Sequence, residues 1–410
     1  MKRTPSKPPA PDARDETLAA YRRHKMARSV HAFVRGNTDQ FYEWLSDAEG
    51  RELPQGPPIW IAGDCHVGNL GPIGNIEGKI NVQIRDLDQT VIGNPAHDLI
   101  RLGLSLATAA RDSDLSGVVT TQMIEQLVAG YEDCFDESKE KGGSPRPEMI
   151  KVTVKEAASR SWKDLAKERI EDPTPHISVG EKFWPISKEE KKTIKKIFEK
   201  KNVFCHITPI GTKNEDTAAK VLDAAYWIKG CSSLGKLRYA VLLDIKNGKN
   251  GKTGRCLIDI KEAVKAVAPA YPDSRMPKGN AERVLEGARR LAPYLGDRMI
   301  TGQILGRSVF IRELLPQDMK VRIKQLTQDE ARKLARYLAT IVGKAHARQM
   351  DIATQKLWKK ELQHNRGKSL DAPYWLWSSI VELVANHEGS YLEHCRKYSH
   401  EKAVPLINHG

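Results

Sequence analysis

The sequence contains Gly63-Asp64-Cys65-His66-Val67-Gly68-Asn69, followed after one β-excursion by Arg85-Asp86-Leu87-Asp88. An Asp, an Asn five residues later and a second Asp on a returning strand are a set suited to phosphoryl transfer. Asp64 would accept the proton of an attacking hydroxyl, and Asn69 and Asp86 would hold Mg²⁺ on nucleotide phosphates. Asp88 would assist the metal or order the loop. The pattern therefore predicts a loop and a neighbouring strand that face one cavity.

The flanking residues favour this geometry. Residues 59–62 read as a short buried strand, and residues 80–84 alternate apolar and polar side chains, as a half-buried strand does. Residues 71–78 between them are rich in turn formers. A single Asp in such a place would more often only shape a turn. The complete set favours a functional site beside a small hairpin.

The same residues carry a family resemblance. Residues 63–69 resemble the catalytic loop of the aminoglycoside and choline kinase-like phosphotransferases, and residues 84–88 resemble their metal-binding segment. Residues 94–102 resemble the segment that follows, in which Asp98 would support the catalytic loop rather than react. A wider resemblance, over residues 21–351, is to a bacterial family of unknown function with a kinase-like fold, whose opening motif is similar to residues 25–36. The resemblance implies ATP and Mg²⁺ as cofactors.

A candidate nucleotide-covering segment comes late in the chain. Gly230, Ser232, Ser233 and Gly235 form a glycine loop, and Lys261 lies near the end of a later apolar strand. Glycines let the backbone approach phosphates, and a Lys supplies a point charge for their oxygens. Alone, such a loop is usually a hairpin turn and such a Lys is usually solvated. Their pairing, and its match to the family's pattern, favour nucleotide binding.

An acidic residue is then expected to pair with Lys261. Residues 281–291 show the apolar spacing of one helix face and offer Glu282 and Glu286. The resemblance places the acidic residue at Glu286, and Glu282 is the alternative. Either side chain could also be an ordinary solvated helix Glu.

The order of these parts implies a circular permutation. Residues 309–314 read as a strand leaving the small lobe, and Thr327 with Glu330 forms a capping box before a long amphipathic helix. The end of that helix, residues 343–348, resembles the helix that leads into the catalytic loop in unpermuted relatives. The resemblance therefore implies an α+β, two-lobed protein-kinase-like fold in which the catalytic loop precedes the glycine-loop lobe.

This organisation divides the chain into four parts. They are a disordered tail (1–20), the catalytic and metal-binding part of the large lobe with a Lys-rich insertion (21–202), the small nucleotide-binding lobe (203–318), and a helical return with a C-terminal tail (319–410).

Composition agrees with a cytoplasmic enzyme. A chain of 410 residues with 40% apolar and 29% charged residues can bury substantial cores. No stretch resembles a signal peptide or approaches the ~18 apolar residues of a membrane span. The six Cys lack zinc-site spacing, so we expect free thiols.

The net charge of +14 has a visible local source in the Lys-rich segment 188–201. A Ser187/Glu190 capping box and the apolar residues Ile194, Ile197 and Phe198 predict a solvated amphipathic helix there. A nucleic-acid contact is the alternative interpretation. The positive charge argues against a polycationic substrate, which would need an acidic pocket.

The sequence thus predicts a Mg²⁺- and ATP-dependent phosphotransferase that acts on a hydroxyl-bearing small molecule or protein. The alternatives are a kinase-like AMP transferase, a nucleotide-binding regulator without catalysis, and a basic nucleic-acid-binding protein. A metal-dependent hydrolase could use Asp64, His66, Asp86 and Asp88, but it would not need the glycine loop and Lys261. We expect His66 to order its loop by a hydrogen bond. Neither the acceptor nor the oligomeric state is indicated.

Overall fold

The computed structural model describes residues 9, 13–47, 53–136, 145–170, 176–200, 203, 206–207, 218–231, 233–246, 253–321, 326–363 and 371–398. Helices and strands are mixed along the chain, so the predicted α+β class is confirmed. Ser232, predicted to belong to the glycine loop, lies outside the described residues.

The helices of the described ranges are α1 (Arg14–Met26), α2 (Val30–Gly36), α3 (Thr38–Ser46), α4 (Pro95–Asp112), α5 (Gly117–Glu132), α6 (Glu148–Ser159), α7 (Trp162–Arg169), α8 (Lys188–Phe198), α9 (Asn280–Leu291), α10 (Pro293–Gly296), α11 (Gln328–Ala347), α12 (Ile352–Leu362) and α13 (Tyr374–Tyr398). The capping boxes predicted before α8 and α11 are both present. Each satisfies backbone groups that the first helical turn leaves unpaired.

The strands are β1 (Ile59–Ile61), β2 (Leu70–Gly74), β3 (Ile80–Ile84), β4 (Val91–Gly93), β5 (Phe183–Trp184), β6 (Ala218–Trp227), β7 (Arg238–Lys246), β8 (Thr253–Glu262), β9 (Met299–Ile304) and β10 (Arg307–Leu314). A six-stranded antiparallel sheet has the order β5-β6-β7-β8-β10-β9. Two small antiparallel ladders, β1-β4 and the hairpin β2-β3, lie outside it. The predicted hairpin between the two acidic stretches is therefore confirmed.

The two faces of the large sheet have different neighbours, because side chains alternate along each strand. On β8, Ile258 and Ile260 point into a core shared with Leu18 of α1 and with Ile194 and Phe198 of α8. Leu257 points the other way, into a core shared with α7. Lys261 has the same parity as Leu257, so it lies on the face opposite α1 and α8.

This packing corrects two predictions. The predicted tail (1–20) is too long, because α1 begins at Arg14, and Arg14 and Leu18 are buried. Arg14 donates a 2.8 Å hydrogen bond to Glu190 of α8. The Lys-rich helix was assigned to the large lobe, but β5 pairs with the large sheet and α8 packs on its outer face. The amphipathic character of α8 was predicted correctly, and its apolar edge determines where it packs.

The remaining helices form the second layer of the molecule. α11 packs along α5, and both contribute to a core that includes β1, the β2-β3 hairpin and α4. Just beyond α11, Gln349 exchanges two hydrogen bonds of 3.0 Å with the backbone of Trp60 in β1. The end of α11 is thus fixed beside the start of β1. Within the described ranges, no helix combines the length and apolarity needed to cross a membrane.

Candidate active site

Asp98 of α4 binds the backbone at the start of the loop 63–69. The Asp98 carboxylate accepts hydrogen bonds from the backbone N–H groups of Ala62 (2.7 Å) and Gly63 (3.0 Å). Gly63 has a φ of +72°, and a Cβ there would lie 2.2 Å from the Gln89 carbonyl oxygen, so only glycine fits. Asp98 therefore supports the loop, in the position predicted for it.

A buried polar chain extends this support to α11 and α12. His346 places Nε2 3.2 Å from Asp98 Oδ2 and Nδ1 2.8 Å from the Tyr131 hydroxyl. That hydroxyl accepts a hydrogen bond from Trp358 Nε1 at 3.1 Å. Because every member is buried and bonded, the chain fixes the loop rigidly to the helical layer.

Asp64 lies beside a buried arginine that the sequence analysis did not identify. Arg101 Nε donates to Asp64 Oδ1 at 3.0 Å, and Arg101 Nη2 donates to the Val34 carbonyl at 2.7 Å. Burial raises the pKa of Asp64, although the charge of Arg101 opposes this rise. The Asp64 side chain keeps 13% of its surface exposed. It is thus an oriented carboxylate with one open side. Arg101 follows Asp98 by three residues on α4, and that helical spacing was the available signal.

His66 does not make the predicted loop-ordering hydrogen bond. Its Nε2 lies 3.8 Å from Asp64 Oδ2, which is too long for a hydrogen bond, and its buried Nδ1 has no partner among the described residues. Burial, together with the charges of Arg35 and Arg101, keeps the pKa of His66 well below its usual range. The imidazole is therefore neutral, and Asp98 orders the loop instead.

Asn69 ends the loop in a short 3₁₀ turn, Val67–Asn69. Its side-chain amide donates to the Asp64 carbonyl at 3.0 Å, and its own carbonyl accepts from the Arg85 N–H at 2.7 Å. The second bond closes the base of the β2-β3 hairpin, so Asp86 returns beside the loop. The amide nitrogen of Asn69 is used internally, which leaves its oxygen as the atom suited to a cation.

Asp86 and Asp88 meet Lys261, which comes from the large sheet. Lys261 Nζ lies 3.1 Å from both carboxylate oxygens of Asp86 and also forms an ion pair with Asp88. Burial alone would raise the pKa of Asp86, but Lys261 holds it well below its usual range. Burial and the charge of Asp86 raise the pKa of Asp88 to about 6. One ammonium thus serves two carboxylates, and Asp88 is the more weakly ionised of them.

These oxygens have the chemistry that Mg²⁺ requires. Asp88 Oδ1 is buried and has no hydrogen-bond partner among the described residues, which is unusual for a carboxylate oxygen. Asp86, Asp88 and Asn69 carry oxygen atoms of the type that Mg²⁺ prefers. Lys261 contacts three of the four carboxylate oxygens, and Asp88 Oδ1 is the fourth. No cluster of three His, Cys, Asp or Glu side chains suited to a metal occurs in the described ranges. Mg²⁺ commonly uses one or two carboxylates and completes its shell with water and phosphate, so the donor set fits.

Two residues of the predicted glycine loop have left-handed backbone angles. Gly230 and Gly235 have φ values of +84° and +92°, which residues other than glycine rarely adopt. Lys25 Nζ donates to the Gly230 carbonyl at 2.8 Å, so the end of α1 is attached to this loop. Ser233 is used internally, because its hydroxyl donates to the Lys229 carbonyl at 2.6 Å.

The predicted pairing of Lys261 with Glu286 is wrong. Glu286 forms surface ion pairs with Arg290 (3.0 Å) and Arg289 (3.9 Å), and Glu282 is exposed. α9 reaches the acidic segment through Arg283 instead. The Arg283 guanidinium is buried and donates to the backbone carbonyls of Asp88 (3.0 Å), Val264 (2.8 Å) and Thr90.

A cavity lies between the large sheet and the β2-β3 hairpin. Its volume is about 20 Å³, room for about one water molecule. The lining residues are Ile73, Leu165, Leu295, Leu314 and Leu315 on the apolar side and Arg85, Arg169, Lys229, Arg312 and Asp318 on the polar side. Burial, with Arg169 and Arg238 nearby, holds the pKa of Lys229 well below its usual range. This cluster of basic side chains was not predicted, because its members come from distant parts of the chain.

No curated protein and no solved structure matches this chain. Residues 14–397 match the family described as "Uncharacterized protein conserved in bacteria (DUF2252)", and this range includes every site residue described above. Since the match extends over nearly the whole chain, the protein belongs to this bacterial family.

Proposed function

We propose that the protein is a Mg²⁺- and ATP-dependent phosphotransferase with a circularly permuted, two-lobed kinase-like fold. The observation that carries the proposal is the contact of Lys261 with Asp86, which are 175 residues apart in sequence. A phosphate-binding Lys and a metal-binding carboxylate have to share one site in phosphoryl transfer. No part of the local sequence around either residue requires that they meet.

Asp64 is the proposed general base. Arg101 orients its carboxylate, and burial raises its pKa toward the range in which a carboxylate accepts a proton more readily. An acceptor hydroxyl within hydrogen-bond reach of the open side of Asp64 would transfer its proton there as its oxygen attacks phosphorus.

Asp86, Asp88 and Asn69 would hold Mg²⁺, which when bound neutralises phosphate charge and orients the nucleotide. In the absence of nucleotide, the Lys261 ammonium neutralises the two carboxylates. Lys261 is then available to exchange one carboxylate for phosphate oxygens when the nucleotide binds. Arg283 keeps the backbone of the acidic segment in place during that exchange.

The position of α11 supports the permutation. In the unpermuted order that the sequence resembles, this helix leads directly into the catalytic strand and loop. Here Gln349, just after α11, is hydrogen-bonded to Trp60 in β1, although 289 residues separate them. A short connection could therefore join these two points, as the proposed permutation requires.

Nucleotide binding is tested by thermal unfolding with ATP, with and without Mg²⁺. A ligand at a hundredfold over its Kd adds about 2.7 kcal/mol of stability, and we expect this stabilisation to need the metal. Incubation with a cytoplasmic metabolite extract and ATP labelled at the γ- or the α-phosphate then identifies the product by mass spectrometry. Transfer of the γ-label supports the proposal, whereas transfer of the α-label indicates AMP transfer. No nucleotide-dependent stabilisation and no transfer would refute it.

A further inference from the structure

Three cations border the turn that carries Asn69, and none has an ion pair among the described residues. They are Arg35, at the end of α2, Arg85, after β3, and Lys320. Arg85 Nη2 donates only to the Asp318 carbonyl, at 3.3 Å. Arg35 Nε is buried without a hydrogen-bond partner. The donors of this group are thus largely unused.

Two glycines bring these cations close to the turn. A Cβ on Gly68 would lie 2.9 Å from Arg35 Cζ. A Cβ on Gly71 would lie 2.9 Å from Arg85 Cδ and 3.4 Å from Lys320 Cα. The absence of side chains at these two positions lets Arg35 approach the turn at Gly68 and lets Arg85 and Lys320 approach it at Gly71.

The cations also repel one another. Although much of the Lys320 side chain is exposed, desolvation of its ammonium and the charges of Arg35 and Arg85 lower its pKa to about 7, with Asp86 opposing this effect. Burial lowers the pKa of Arg35, with Arg101 adding to the effect and Asp64 opposing it. Like charges held close together without direct ion pairs cost free energy, and a bound anion would lower that cost.

We propose that Arg35, Arg85 and Lys320 form an anion site for a phosphate group carried by the acceptor, so that the substrate class is a phosphorylated, hydroxyl-bearing compound. This inference rests on the proposed function, in which the hydroxyl-bearing compound accepts the transferred phosphoryl group. Two guanidinium groups and an ammonium suit a dianionic phosphate, which can accept several charge-assisted hydrogen bonds at once.

The position of Arg35 favours the acceptor over the nucleotide. Arg35 is next to Val34, whose carbonyl binds Arg101, and Arg101 in turn binds Asp64. The base and Arg35 therefore lie on one side of the Asn69 turn. Lys261, which the nucleotide phosphates would use, lies on β8 of the large sheet.

The test uses inorganic phosphate as the probe, with the full-length protein saturated with Mg²⁺ and a non-hydrolysable ATP analogue. We expect phosphate to raise the melting temperature further. The variants R35Q and K320Q should weaken phosphate binding about ten- to hundredfold, because each removes a charge-assisted contact. K320Q changes an exposed side chain, so it separates a binding defect from a folding defect. K191Q, an exposed Lys on α8, is the control with the same charge change.

The outcomes separate the two proposals. If the analogue binds but phosphate gives no shift, or if K191Q weakens phosphate as much as K320Q does, the anion site is refuted and the proposed function stands. If both variants weaken the ATP analogue as strongly as they weaken phosphate, the cations belong to the nucleotide site and the inference is wrong. If the analogue does not bind at all, the proposed function fails. Phosphate binding without nucleotide, again compared in K320Q and K191Q, then decides whether the anion site exists.

Discussion

Asp64 and the Asp86–Asp88 pair each lie beside one cation, but the two arrangements differ in permanence. Arg101 is buried and is bound both to Asp64 and to the α2 backbone, so its position is fixed by the fold. Lys261 reaches Asp86 and Asp88 with a single ammonium, and the Asp86 side chain is 38% exposed. The first arrangement holds a carboxylate in place, whereas the proposed function requires the second to exchange a carboxylate for a ligand. The comparison teaches that two neighbouring ion pairs can differ in how firmly the fold fixes them.

The largest effect is expected for D64N, which keeps the shape of the side chain and removes the base. Turnover should fall by roughly two to four orders of magnitude, while the affinity for Mg²⁺-ATP changes little. Steady-state kinetics and thermal shift measure the two quantities. D39N, an exposed Asp on α3, is the control. Equal activity in D64N and the parent would remove Asp64 from the mechanism.

R101M should chiefly affect the fold. Removing one partner of a buried ion pair costs about 3–5 kcal/mol, since the Asp64 carboxylate loses its cation. Urea unfolding gives this free energy. R111M, on the same helix, breaks an exposed pair with Glu388 and should cost less than about 1 kcal/mol. Similar losses in both variants would mean that Arg101 has no special structural role.

The variant K261M tests the ion pairs of Lys261 with Asp86 and Asp88. We expect the affinity for Mg²⁺-ATP to fall about ten- to hundredfold, because a charged contact to phosphate is lost. The matched control is K265M, which changes an exposed Lys four residues later. A K261M protein that binds Mg²⁺-ATP as the parent does would contradict the phosphate-binding role, and a large loss in K265M would show that the effect is not local.

His387, whose ring lies near Arg101, should contribute to the pH dependence of stability. Burial lowers the pKa of His387 from 6.5 to about 4. Between these two values the unfolded chain binds a proton that the folded chain does not. Stability should therefore fall as the pH drops from 6.5 to 4, by up to about 1.4 kcal/mol per pH unit per proton. Urea titrations at several pH values measure the slope, and H387Q should reduce it. An unchanged slope in H387Q would assign the effect to other groups.

The smallest effect is expected for E286Q, which tests the corrected pairing. Glu286 pairs only with surface arginines of its own helix, so the change in stability should be below about 0.5 kcal/mol. Calorimetric titration with Mg²⁺-ATP should give the parent's affinity. A loss as large as that in K261M would show that Glu286 joins Lys261 when nucleotide binds.

Local patterns in the sequence were sufficient for the elements around the site. The strand periods of residues 59–62 and 80–84, and the capping boxes of α8 and α11, depend on neighbours within a few residues. The supporting role of Asp98 was also predicted, because its position at the start of α4 follows from the motif.

The wrong predictions depend on contacts between distant residues. α9 was predicted correctly as a helix, but its rotation on the sheet decides that Arg283, and not Glu286, points inward. The Lys-rich helix has the predicted amphipathic character, but its position depends on the apolar sheet face that it covers, which includes Ile258 and Ile260. A periodic pattern shows that a face is apolar without showing which surface covers it.

The sequence by itself determined the α+β class, the acidic loop and hairpin, and the identity of the charged side chains. Only the tertiary structure decided which charges meet. Lys261 pairs with Asp86 and Asp88, and Arg101 pairs with Asp64, whereas Arg35, Arg85 and Lys320 form no direct ion pair with any residue that the structure describes. The physical reason is that backbone propensities act over a few residues, whereas ion pairs depend on distance and burial, which chain folding sets.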